Sequence, residues 1–99
     1  MNDIGYVEPF DKSLSPEDYD EAMIVMLAVD GMACPNCATR IRNSLIRLDG
    51  VLEAHVYHNI QLAEVVFDPA YIESTDVLLA VSNAGDDDLH VYQARVILR

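Results

Sequence analysis

Cys34 and Cys37 are the only cysteines in this 99-residue chain, and just two residues, Pro35 and Asn36, separate them. Two thiolates at that spacing can close on one soft metal ion, because sulfur ligands favour Cu(I), Zn(II) and their heavier relatives over hard cations. The same spacing also suits a dithiol–disulfide redox pair. Gly31-Met32 stands just before them. The apolar run on one side and the helical pattern on the other place the pair on a strand-to-helix loop.

The elements that must hold this loop can be read in order. Met23-Ile24-Val25-Met26-Leu27-Ala28-Val29 is a continuous apolar run with β-branched content, short enough to be a buried strand. After the cysteine loop, Pro35 fits the first position of a helix. Ile41, Leu45 and Leu48 then form one apolar stripe, with Arg40, Arg42 and Arg47 lying off it. Asp49-Gly50 is expected to end that helix, with Gly50 taking the left-handed cap conformation. Ala54, Val56 and Tyr57 mark a strand around 51–58. A turn near Asn59 leads to a strand from Leu62 to Phe67, closed by Asp68-Pro69.

Ser74 or Thr75 can cap a second helix, whose Val77, Leu78 and Val81 face inward and which stops at Ala84-Gly85. Asp86-Asp87-Asp88 is read as a solvated acidic turn, and a last strand as running from Leu89 to Leu98. The order strand, helix, strand, strand, helix, strand predicts an α+β, ferredoxin-like βαββαβ sandwich: a four-stranded antiparallel sheet with two helices on one face.

Composition narrows the function classes. The formal net charge of −11 argues against nucleic acid or an anionic membrane surface as partner, since both reward a basic face. The charge is uneven. Residues 1–21 hold seven acids (Asp3, Glu8, Asp11, Glu17, Asp18, Asp20, Glu21) against Lys12 alone. They read as an acidic, flexible N-terminal extension in which Ser15-Pro16-Glu17-Asp18 makes one helical turn; residues 22–99 form the folded domain. No stretch approaches the roughly 18 apolar residues of a membrane span, and the N-terminus has no basic region followed by an apolar core. A cytoplasmic address and no direct membrane insertion are the expectation. In a reducing compartment two cysteines read as a metal or redox site rather than a staple.

Over residues 23–98 the chain resembles a heavy-metal-associated domain, the module of copper chaperones and of the cytosolic arms of metal-pumping P-type ATPases. The resemblance rests on Gly31-Met32, Cys34 and Cys37, Ile41 and Leu45, Gly50-Val51, Val56, Ala63, Val65, Phe67-Asp68-Pro69, Leu79-Ala80-Val81 and Ala84-Gly85. It implies a non-enzymatic module that takes one ion per domain, Cu(I) first and Zn(II) or a similar divalent ion second, on Cys34 and Cys37. The implied partner is a metal-transporting P-type ATPase or another such domain, including a second copy in a metal-bridged dimer. Both a free-standing chaperone and an arm of a larger transporter fit. The physics agrees: a helix N-terminus lowers a thiol's pKa, and two protein ligands leave an ion open to exchange. The competing reading is a dithiol–disulfide oxidoreductase, but two strands between the helices give the wrong order for a thioredoxin-like fold.

Met32 is read as an apolar plug of the loop rather than a thioether ligand. Many members of the resembling family carry a Tyr or Lys near the metal, just after the glycine that ends the second helix. Asp86 stands there instead, a candidate accessory ligand whose harder oxygen would favour Zn(II). His55, His58 and His90 are read as polar-face strand residues. Arg40, Arg42 and Arg47 beside the cysteine loop could steer an acidic partner to it.

Overall fold

The computed structural model describes residues 7–85 and 91–98. Six elements follow one another: β1 (Met23–Asp30), α1 (Pro35–Ile46), β2 (Val51–Tyr57), β3 (Leu62–Phe67), α2 (Ser74–Asn83) and β4 (Gln93–Leu98). The sheet runs β2-β3-β1-β4 with every neighbouring pair antiparallel, and both helices pack on one face. This is the expected ferredoxin-like arrangement. Among the described residues no helix is long and apolar enough to cross a membrane.

The core forms between that face and the helices. Val25, Leu27 and Val29 of β1, Ala63 and Val65 of β3, Ile41 and Leu45 of α1, and Val77 and Val81 of α2 are all buried. The register sets Leu27 between Ala63 and Val96, and Val29 beside Ala94, so alternate residues of each strand meet the helices. Ser44 Oγ donates to the Ala80 carbonyl at 2.6 Å, tying α1 to α2.

Several elements differ in detail from the expectation. β1 is not buried on both faces: Ile24 is 53% exposed, and Met26 and Ala28 are half-buried. Helices on one face only leave the alternate side chains of an antiparallel sheet open. α1 ends at Ile46 with Arg47 as its cap. Leu48 packs partly on the core just beyond it, and Gly50, at φ +100°, serves the turn into β2 rather than the helix end. The cap of α2 is Glu73, not Ser74 or Thr75, and the Asp76 carboxylate accepts the Glu73 N–H at 2.9 Å. β4 begins at Gln93, because Val91 and Tyr92 are used by the cysteine loop. His58 lies in the β2–β3 turn rather than on a strand, and His90 falls outside the described residues.

The acidic segment is placed from Val7 onward. Its Pro16–Tyr19 stretch makes the expected single turn, with the Ser15 N–H donating to Asp18 Oδ2 at 2.8 Å. Tyr19 Oη donates to Glu53 Oε2 at 2.8 Å, and His55 bonds the other carboxylate oxygen.

The burial pattern makes a contrast that equilibrium denaturation can read. Leu45→Ala, at a fully buried position, is expected to lose about 2–5 kcal/mol. Leu79→Ala, on the same helical layer but 59% exposed, is expected to stay within about 0.5 kcal/mol. Equal losses would mean that α2 is turned differently from its described orientation.

Candidate metal centre

The site is built from the turn that follows β1. Gly31 sits at φ +103°, and a Cβ there would stand 2.2 Å from the Val91 carbonyl oxygen and 3.3 Å from Tyr92 Cδ1. Both the left-handed backbone and the contact with Val91 require glycine. Met32, 5% exposed, belongs to the core, as expected of a plug. Gln61, in the β2–β3 turn at φ +56°, clamps it from outside: Met32 N–H donates to Gln61 Oε1 at 3.3 Å, and Gln61 Nε2 donates back to the Met32 carbonyl at 2.7 Å.

This clamp delivers the chain into α1 with Cys34 as the N-cap residue, Pro35 at the first helical position and Cys37 in the first turn. The two sulfurs lie 3.3 Å apart, and both cysteines are free. Cys37 is 2% exposed, whereas Cys34 is half-buried and reaches the surface. A tetrahedral ion with bonds of about 2.3 Å needs sulfurs about 3.8 Å apart, so a small outward turn of Cys34 would admit one.

Tyr92 completes the site. It is 2% exposed, and its hydroxyl hydrogen-bonds to the Cys37 thiol. Burial alone would push the Cys37 pKa up. Hydrogen bonds from the Tyr92 hydroxyl, the backbone at Ala33 and Cys34, and the Cys34 thiol outweigh it and bring Cys37 down to about 7. Tyr92 is correspondingly pushed up, first by burial and then by the Cys37 sulfur it serves, with Arg40 acting the other way.

Of the residues singled out in the sequence, Cys34, Cys37 and Met32 come together here. Asp86 lies outside the described residues. His55 is engaged by Glu53 at 2.9 Å, and among the described residues no group of three or more His, Cys, Asp or Glu side chains converges as a metal site. The arginines are not a free patch: Arg42 pairs with Asp11, and Arg47 stacks 4.8 Å over the Phe10 ring. Tyr92 was missed. The available signal was the absence of Tyr or Lys directly after Gly85, which could have prompted a search farther along the chain.

Comparison with known proteins identifies the lineage. The model of the heavy-metal-associated domain matches residues 26–87. The chain is 34% identical over 70 residues to the copper chaperone CopZ of Enterococcus hirae, covering 71% of this chain and 93% of that one. It is 31% identical over 75 residues to a cation-transporting ATPase, HMA5, of Oryza sativa subsp. japonica, but it spans only 8% of that protein. Among solved structures, a copper-binding domain from HMA7, a P-type ATPase, superposes with a TM-score of 0.67 at 27% identity, covering 75% of this chain and 92% of that one. This chain belongs to the heavy-metal-associated domain family, and that kinship supports metal binding and transfer.

The hydrogen bond to Cys37 has a pH signature in the metal-free, reduced protein. The ultraviolet absorbance of the first thiolate is expected to rise as pH increases through about 7. Tyr92→Phe removes the donor, so the rise should move toward the ordinary thiol value of about 8.5. An unmoved midpoint would show that Tyr92 does not set the thiolate.

Proposed function

We propose that this heavy-metal-associated domain carries one soft ion, Cu(I) before Zn(II), on Cys34 and Cys37 and hands it to a partner that presents a similar dithiol. The observation that carries this reading is the unequal burial of two free thiols 3.3 Å apart. Cys37 is enclosed and inclined toward the thiolate that binds metal. Cys34 stands at the rim, where an incoming sulfur can reach the same ion. Transfer is then ligand exchange: a partner thiolate forms its bond as the Cys34 bond breaks, and Cys37 lets go last. No electron moves.

Cu(I) is preferred because it is satisfied by two soft sulfurs, and because the Enterococcus relative and the superposed domain carry copper in their names. The same kinship supports a metal-transporting ATPase or another domain of this family as the partner class, and we propose a second copy of this chain bridged through the ion as a further candidate. A cytoplasmic setting, where thiols stay reduced, suits such an exchange. We assign no catalytic activity.

The test is anaerobic titration of the reduced protein with Cu(I) and with Zn(II) against competing chelators. Cys34→Ser and Cys37→Ser should each weaken Cu(I) binding at least tenfold, or about 1.4 kcal/mol; unchanged affinity in both sinks the proposal. A dithiol oxidoreductase would instead reduce a disulfide substrate faster than free dithiol does, and we expect no such turnover.

A further inference from the structure

We propose that the outer face of α1 is a recognition surface for an extended segment carrying an aromatic residue followed by a carboxylate, and that Val7–Lys12 occupies it in cis. The contacts run the length of the helix. Val7 N–H donates to Asn36 Oδ1 at 3.1 Å, between the two cysteines in sequence. Asn43 reads the backbone twice, its Oδ1 accepting from Phe10 N–H at 2.7 Å and its Nδ2 donating to the Glu8 carbonyl at 2.8 Å. Arg42 takes the Phe10 carbonyl and the Asp11 carboxylate, and Arg47 covers the Phe10 ring. Lys12 Nζ donates to the Leu48 carbonyl at 2.9 Å, just past the helix end, where carbonyls lack helical partners.

The lengths match. Five residue steps from Val7 to Lys12 at about 3.4 Å span roughly the same 17–18 Å as the twelve steps from Asn36 to Leu48 at about 1.5 Å. The segment is therefore laid fully extended and parallel to α1.

The grip is specific but shallow. Asn43 is 4% exposed and is the one buried polar or charged residue among the described residues. Phe10 is 36% exposed, and the Asp11 side chain 75%, and an exposed ion pair adds little. A covalently attached segment holds such a face through its high local concentration rather than through tight contacts. An acidic partner approaching Cys34 along α1 must displace it. The arm thus gates access to the exchange site, a role that rests on the function proposed above; recognition of the segment itself does not.

The test uses the full chain without metal. A labelled peptide Val7-Glu8-Pro9-Phe10-Asp11-Lys12 is titrated, by fluorescence anisotropy, against the native chain and against the double variant Phe10→Ala/Asp11→Ala, whose own arm is disabled. The variant should bind the peptide at least tenfold more tightly than the native chain, and Arg42→Glu added to it should abolish the gain. Hydrogen exchange at Val7 and Phe10 N–H should quicken in the variant while the sheet amides stay protected, which shows that the fold is intact. Equal peptide binding by both chains, or indifference to Arg42→Glu, overturns the proposal. Failure of the metal titration with success here would remove the gating role and leave the recognition surface standing.

Discussion

The fit of Gly31 against the Val91 carbonyl is the constraint on which the rest of the site depends. The neighbour at 2.2 Å from a hypothetical Cβ is backbone, not the end of a flexible side chain, so neither segment can yield without a shift of main chain next to the sheet. That contact settles two things together. It turns the chain out of β1 so that Met32 enters the core and Cys34 arrives at the head of α1. It also fixes the residues before β4, so that Tyr92 points inward at Cys37 rather than out along the sheet. A site made from two distant stretches of chain is thereby located by one residue that has no side chain.

Burial of Cys37 opposes the charge of its thiolate, and a small domain has little core to spare for a polar group. The arrangement resolves this by giving the buried sulfur several donors at once, Tyr92 foremost among them. Cys34 lies nearer solvent. The two cysteines of one motif are therefore physically different, one enclosed and one at the surface. Symmetric exposure would leave both thiols equally open to oxidation, and symmetric burial would leave no sulfur for an incoming group to replace.

Much of this was legible in the sequence because it is local. Apolar runs, strand-type residues and a 3.6-residue stripe located all four strands and both helices, Pro35 marked the start of α1, and Ser15 to Asp18 marked a turn. What escaped is non-local. Tyr92 reaches Cys37 where Gly31 meets Val91, positions far apart in sequence, and no short-range pattern encodes that. Asp86 held attention instead because it follows the glycine directly. The arginines and the N-terminal acids were read as two unrelated features, a patch for a partner and a flexible extension. Their complementarity spans 31 and 32 residues between Asp11 or Phe10 and Arg42, a distance over which charge patterning gives no register. Leu79 belonged to the family pattern, yet the turn of α2 leaves it facing water.

The arm also changes what the molecule presents electrostatically. With Asp11 on Arg42 and Phe10 under Arg47, two of the three arginines on or just after α1 are already engaged. Lifting the arm uncovers those arginines and removes nearby carboxylates in one movement. The charge beside the helix then becomes more positive while the net charge stays at −11. Charged surfaces act mainly on encounter and on the rejection of wrong partners. On the gating proposed above, only a molecule able to compete for Asn43 and Arg42 meets a basic helix. Selectivity would then reside less in the dithiol, which any soft-metal site shares, than in the helix face beside it.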